Sequence, residues 1–429
     1  MINFYSTNQK APKVSLKEAV LNGLAPDGGL YFPEVIPTLS NDFFNKLPSL
    51  SFQEIGIEVA TPFLNGLASK AEIETMVNES MNFPIVLNEL SDGTVSLELF
   101  HGPTLAFKDV GARFMSRLLR HFVKDLNNEL HILVATSGDT GSAVASGFHK
   151  VDGIRVTILY PKGKVSPLQE KQLTTYGDNV QAIEIDGTFD DCQRLVKTAF
   201  GDSKLSEELN LTSANSINFA RLLPQSFYYF YCNRLVQKGE GLVVSVPSGN
   251  YGNITAGLIG HKMGLPIKKF VAASNANSIV PQFLDTGDFN PRASIQTYSN
   301  AMDVGNPSNF PRMMEIFSND HKAFAEKISS GILNDQQNLE AIRACLKEND
   351  YLTDPHGAIG WSVLKSQLKQ GEKGVFLETA HPAKFIEIMA MAVPIEIKLP
   401  KVLAEISKKD GVSIPCENDY GALIEILKA

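Results

Sequence analysis

The sequence predicts an α/β protein with parallel sheets, and three observations carry that reading. From about residue 95 onward, short β-branched and apolar runs recur: His131–Ala135, Val156–Tyr160, Val180–Ile185, Leu242–Val246, Phe270–Ala273 and Val375–Leu377. Helix-length segments separate these runs, the spacing of βαβ units. Several runs are almost continuously apolar, as strands are when helices cover both faces of their sheet. Periodicity alone leaves short buried helices open as an alternative.

The N-terminal stretch has a different texture. Val14–Leu21 reads as a short helix capped by Ser15, with Glu18 three residues on in a capping-box pattern. Gly23, Pro26, Asp27, Gly28 and Gly29 then break the chain. Helical patterns follow near Phe52–Ala60 and Lys70–Glu79. A length of 429 residues allows two or three domains. Residues 1–90 are expected to form an N-terminal subdomain, 91–235 a smaller α/β domain and 236–429 a larger one with a C-terminal extension.

Composition narrows the function classes. Hydrophobic residues at 43% and charged residues at 20% exclude a disordered acidic tail, a collagen and a coiled coil. Thirty-nine basic against 47 acidic residues give a net charge of −8, without the basic face of a nucleic-acid binder. No apolar run reaches the roughly 18 residues of a membrane span. The first residues lack the basic and apolar regions of a signal peptide, so a cytoplasmic protein is expected. Cys192, Cys232, Cys345 and Cys416 form no CxxC pair, and buried free thiols are expected. The eight histidines match no metal-binding pattern, so no metal site is expected.

Four polar segments sit at the ends of the expected strands or at the start of a helix. In His101–Asp109, Lys108 opens an amphipathic helix whose Val110, Phe114 and Leu118 recur every four residues. A cation gains nothing there from the helix dipole. Lys108 is either a surface lysine or an amine of lowered pKa suited to Schiff-base chemistry. Thr136–Ser142 follows the strand ending at Ala135, and reads as an anion-binding helix start or an ordinary capped turn. Ser248–Thr255 follows Leu242–Val246 and Pro247, and the same two readings apply. It matches neither the P-loop nor the GxGxxG dinucleotide pattern. Glu378–Pro382 directly follows Val375–Leu377, where open parallel sheets collect ligands. One lysine and three strand-end loops in one chain are better explained together than singly.

Together, HGPTLAFKD, TSGDTG, SGNYGN and ETAHPAKF resemble threonine synthase, a family of fold-type-II pyridoxal-phosphate (PLP) enzymes. The opening APDGGLYFPE is similar to the N-terminal region of that family's longer bacterial and fungal form. The likeness runs from about residue 4 to 390. It implies two open-sheet domains with the cofactor between them, plus the N-terminal subdomain. Lys108 then matches the lysine that bonds the cofactor and later acts as base at the substrate Cα. Gly249, Asn250, Tyr251, Gly252 and Asn253 match the loop that holds the cofactor phosphate. Thr379 falls where the family places a hydroxyl against the pyridine nitrogen, and adjacent Glu378 is expected to point elsewhere. Thr136, Ser137, Gly138 and Thr140 match the loop for the substrate carboxylate. Asp139 stands near the ring hydroxyl in place of the Asn of many superfamily members, either protonated or turned away.

The substrate's own phosphate needs a second site. Asn215, Ser216 and Arg221 look like the family's segment for it, with Thr136 and Asn250 as further contacts, and the planar fork of an Arg suits phosphate. His101 and His381 are expected to pack and hydrogen-bond rather than to catalyse, and Lys162 and Lys164 to lie in a solvated turn. The resemblance implies conversion of O-phospho-L-homoserine and water to L-threonine and phosphate by a monomer or homodimer. The alternatives are a phospho-lyase releasing 2-oxobutyrate from the same substrate, or a β-replacement enzyme such as cysteine synthase. A non-catalytic metabolite-binding protein would require Lys108 to be incidental.

Overall fold

The computed structural model describes residues 1–124, 128–236 and 240–429. In chain order its strands are β1 (Asn3–Ser6), β2 (Val14–Ser15), β3 (Tyr31–Pro33), β4 (Val86–Glu89), β5 (Val95–Glu98), β6 (Leu130–Ala135), β7 (Ile154–Pro161), β8 (Val180–Ile185), β9 (Leu211–Thr212), β10 (Gly241–Pro247), β11 (Ile267–Ser274), β12 (Ile328–Ile332), β13 (Glu372–Glu378) and β14 (Ile414–Cys416). All six expected runs are strands. Three lie in a five-stranded parallel sheet of order β14-β8-β7-β6-β9. The other three lie in a six-stranded sheet of order β12-β11-β10-β13-β5-β4, parallel except for β4. A small antiparallel sheet, β2-β1-β3, heads the chain.

Sheet membership departs from the sequence order that was expected. Residues 95–98, expected in the smaller domain, form β5 and pair with β13 of the larger sheet. Residues 414–416, expected in the larger domain, form β14 and pair with β8 of the smaller sheet. A short strand is placed by its partner, and that partner is distant in sequence, so local pattern cannot assign it.

The N-terminal helices form where expected, at Leu16–Asn22, Phe52–Leu64 and Lys70–Ser80. Each begins with a full capping box, from Ser15/Glu18, Ser51/Glu54 and Ser69/Glu72, which satisfies amides that a helix start leaves free. These helices share the main core. One buried cluster joins Phe4, Ile55 and Phe63 to Val134 of the smaller sheet and Val244 of the larger. Phe4 meets Phe219 edge-on at 4.9 Å. A second core, under the smaller sheet, combines Ile183, Ile185 and Leu195 with Leu423 and Leu427 of the last helix, Tyr420–Lys428. The four cysteines are buried and free. No described helix is long and apolar enough to cross a membrane.

Candidate active site

The segment carrying Lys108 is shaped by its neighbour. Asp109 folds back so that its Oδ2 accepts from the Thr104 amide at 2.9 Å and its Oδ1 from the Thr104 hydroxyl at 2.8 Å. Gly102 is required here, because a Cβ would lie 2.4 Å from Asp109 Oδ2. Burial pushes the Asp109 carboxyl up to about 6 against the pull of the Thr104 bonds. The turn is also fastened to the end of β13: the Phe107 amide donates to the Thr379 carbonyl at 2.8 Å, and the His381 amide to that of Leu105 at 3.1 Å. Lys108 then opens the helix Lys108–Val123. Desolvation lowers its amine to about 8; Asp139 opposes the shift, while Arg221 and Lys384 reinforce it.

Two helix starts face the same cleft. After β6, Thr136 Oγ1 accepts from the amides of Gly138 at 2.9 Å and Gly141 at 2.8 Å, which rounds the turn into the helix Asp139–Phe148. After β10, Tyr251 adopts a left-handed conformation, φ 59°, and opens the helix Gly252–Lys262. A Cβ at Gly249 would lie 2.7 Å from Met302 Cα, so the backbone runs this close only as glycine. Asn253 Oδ1 accepts from the hydroxyls of Tyr228 and Tyr229, which leaves its Nδ2 buried with no hydrogen-bond partner among the described residues.

The cleft brings the four sequence motifs together with the Asn215–Arg221 segment. Lys108, Thr136, Ser137, Thr140, Asn215, Ser216, Arg221, Thr379 and all of Gly249–Asn253 line it. Gly138 and Asp139 do not. Asn215 Nδ2 donates to the Ala135 carbonyl at 3.0 Å, tying the Asn215 segment to the end of β6. Asn250 Nδ2 donates to Ser216 Oγ at 2.6 Å. Arg221 donates from Nη1 to the Ala214 carbonyl at 2.6 Å, while its buried Nε has no partner among the described residues. Desolvation lowers Arg221 to about 10, so it stays a cation at neutral pH.

Of the two states expected for Asp139, protonated or turned away, its surroundings favour the second: it does not line the cleft. Its Oδ1 lies 2.6 Å from Lys384 Nζ and accepts from Gln169 Nε2 at 2.9 Å. Burial alone would raise this carboxyl. Lys384, Lys108 and the two hydrogen bonds outweigh burial and hold it ionised, well below the usual carboxylate range. Glu378 does turn away from the cleft: its Oε1 accepts from the Asp354 amide at 2.6 Å. Burial first, then Asp354, raises its pKa well above normal. His101 pairs with Glu98 at 2.7 Å, and His381 caps the Ala383 amide at 3.1 Å. Lys162 and Lys164 are exposed.

Sequence reasoning missed three side chains around this cleft. Arg312 is wholly buried and paired only with neutral acceptors: the carbonyls of Tyr31, Ser216 and Ile217 and the amide oxygen of Asn309. His356 lines the cleft, pairs with Asp354 through Nδ1, and accepts from the Ala301 amide at 3.2 Å through Nε2. Lys384 lay inside the ETAHPAKF motif without a role of its own. Only its motif position could have drawn attention, whereas nothing local marks Arg312 or His356.

These groups fit an aldehyde cofactor with a phosphate arm and a ring nitrogen. The poised amine of Lys108 suits the aldehyde, the helix start at Gly252 with the unpartnered Asn253 amide suits the phosphate, and the Thr379 hydroxyl offers a neutral partner to the nitrogen.

Comparison with known proteins agrees with this fit. Residues 3–81 match the family described as "Threonine synthase N terminus", 90–379 "Pyridoxal-phosphate dependent enzyme" and 357–426 "Threonine synthase, C-terminal". The chain is 44% identical over 424 residues to a threonine synthase of Haemophilus influenzae, covering 98% of each. The crystal structure of threonine synthase from Escherichia coli superposes with a TM-score of 0.94 at 41% identity, covering 99% of both chains. That of PLP-bound threonine synthase from Brucella melitensis gives 0.93 at 34% identity, covering 100% of this chain and 99% of the other.

Proposed function

The chain belongs to the threonine synthase family of PLP-dependent lyases, and from that premise we propose how its residues carry out the conversion of O-phospho-L-homoserine and water to L-threonine and phosphate. The observation that carries the proposal is the convergence of a poised amine, Lys108, with three separate anion-receiving segments in one cleft. Three anionic groups need places there: the cofactor phosphate, the substrate carboxylate and the substrate phosphate.

Gly249–Asn253 receive the cofactor phosphate on backbone amides, and Asn253 Nδ2 adds a side-chain donor. Thr379 faces the ring nitrogen and imposes no charge on it. Once bound, the cofactor supplies an electron sink for the charge left at Cα. The Lys108 amine would hold the cofactor aldehyde and, when free, would take the Cα proton. An amine lowered to about 8 suits that task, since it keeps a useful unprotonated fraction near neutral pH while remaining basic.

Thr136, Ser137 and Thr140, the members of that loop that line the cleft, receive the substrate carboxylate, and Gly138 shapes the turn behind them. Arg221, Asn215 and Ser216 receive the substrate phosphate, with Asn250 and Thr136 beside them. This clamp fixes the leaving group at Cγ while a proton is lost from Cβ and phosphate departs; a proton then returns to Cγ, water adds at Cβ, and Cα regains its proton. The clamp also favours this reaction over β-replacement, which has no phosphate to hold. We place the enzyme in the cytoplasm, as a monomer or homodimer.

The test is to supply O-phospho-L-homoserine to the holoenzyme and identify the products by mass. Threonine with phosphate supports the proposal. Release of 2-oxobutyrate with phosphate assigns the cleft to the lyase alternative.

A further inference from the structure

Lys384 takes no part in the steps above, yet its side chain is completely buried. Its ammonium is held at a junction. It lies 2.6 Å from Asp139 Oδ1 and donates to the Thr104 carbonyl at 2.9 Å. Three parts of the site meet there. Lys384 belongs to the short turn Pro382–Phe385 just after Thr379 and β13. Thr104 belongs to the turn that delivers Lys108. Asp139 opens the helix that follows β6 in the other sheet. Two neutral amides complete the junction: Gln169 bonds the same Asp139 oxygen, and Gln172 donates to the same Thr104 carbonyl at 3.1 Å, while the ionisable Asp109 and His381 also feel the Lys384 charge.

We propose that Lys384 is a positioning residue of the reaction: by sharing Asp139 with Lys108, it sets how tightly the Lys108 nitrogen holds its proton. The proposal rests on the reading of Lys108 as the cofactor-bonding amine. Electrostatics gives the reason for two lysines. The Asp139 charge acting alone on Lys108 would favour the protonated amine against desolvation, and a protonated amine cannot act as base. A second cation on the same carboxylate offsets that pull. Lys384 without Asp139 would be a buried, unpaired charge, which is costly. The charged groups acting on Lys108 are Asp139, Arg221 and Lys384. Asp109, behind the turn, acts on Arg221 and is itself acted on by Lys384 and Arg113.

The signs follow. Removing Lys384 removes a cation and leaves Asp139 to Lys108, so Lys108 binds its proton more tightly. Neutralising Asp139 does the opposite. Removing both leaves Lys108 between these extremes.

The experiment uses the PLP-loaded enzyme and three variants: Lys384→Met, Asp139→Asn and the double variant. The readouts are the pH midpoint of the cofactor's visible absorption and the pH profile of kcat/KM. Lys384→Met should raise the midpoint by about one pH unit, the scale of a single charge at partly screened contact distance. Asp139→Asn should lower it, and the double variant should fall between the two. A midpoint unmoved in Lys384→Met, or single variants that shift in the same direction, overturns the proposal. If Lys384→Met does not fold, Asp139→Asn decides alone: a lowered midpoint supports the proposal and an unmoved or raised one overturns it. Borohydride reduction and peptide mapping of the unmutated enzyme separate the two levels. Cofactor fixed elsewhere than Lys108 overturns the underlying reading and the proposal with it. Cofactor fixed on Lys108 with unmoved midpoints sinks the proposal alone.

Discussion

A lysine on a wet surface and a lysine in this cleft have the same side chain and different chemistry. Desolvation brings Lys108 down to about 8 from an ordinary 10.5. The rate of PLP uptake by the apoenzyme should therefore rise with pH with a midpoint near 8, as stopped-flow absorbance would show; a midpoint near 10.5 would contradict the cleft's electrostatics. Lys108→Ala should keep the fold and lose turnover by a factor on the order of 10²–10⁴ or more, the usual weight of a positioned base. Glu378 titrates in the other direction. Its folded pKa lies well above 4.5, so the folded protein keeps a proton that the unfolded chain releases. Stability then falls as pH rises above that unfolded value. Glu378→Gln keeps the shape and does not titrate, so its stability relative to the unmutated protein should improve as pH rises from about 5 to 8. Urea unfolding at several pH values measures this, and a pH-independent difference would contradict a protonated Glu378.

Elements place these residues, and sequence exposes elements unevenly. Strands β6, β7, β8, β10, β11 and β13 each hold an apolar, β-branched run, nearly continuous in several of them, and that pattern is local, so it is readable. The loops at their ends announce themselves through glycine, hydroxyl and amide residues. Strands β9 and β14, of two and three residues, carry no period of their own and exist only through distant partners. Arg312 was illegible for a related reason: a single Arg in a helix reads as solvent-facing unless its surroundings are known. In the fold it joins the N-terminal sheet, at the Tyr31 carbonyl, to the Ser216–Ile217 backbone of the substrate-phosphate segment. Desolvation lowers it to about 9, and its donors are used on neutral oxygens. Arg312→Met removes those donors from buried acceptors and should cost about 3 kcal/mol or more, given the strength of charge-assisted hydrogen bonds. A freed Ser216 should also raise the KM for O-phospho-L-homoserine while the cofactor spectrum stays unchanged. Denaturant midpoints and steady-state kinetics test both halves; an unchanged KM would show that Ser216 holds its place without Arg312.

Across the whole molecule, a chain of net charge −8 still buries cations at its cleft and behind it: Arg221 lines the cleft, Lys384 acts on Lys108, and Arg312 holds the Ser216 backbone. The chain reaches that arrangement by crossing between sheets, and its last crossing carries a cost in exposure if it is cut. After the larger sheet is complete, residues 414–429 return to the smaller one. There β14 covers the edge of β8, and the terminal helix sets Leu423 and Leu427 against Ile183, Ile185 and Leu195. Both leucines are fully buried. Leu427→Ala should therefore destabilise the protein by about 2–5 kcal/mol, the range for deleting a buried leucine side chain. That is a large share of a typical total of about 5–15 kcal/mol. Leu427 does not line the cleft, so kcat/KM of the folded variant should not change. A chain ending at residue 412 loses both leucines and exposes the β8 edge, a template for pairing with other chains. It should aggregate on mild heating where Leu427→Ala only melts earlier. Calorimetry with light scattering separates the two behaviours. If the shortened chain melts like the full one, the terminal helix is not part of the smaller sheet's core.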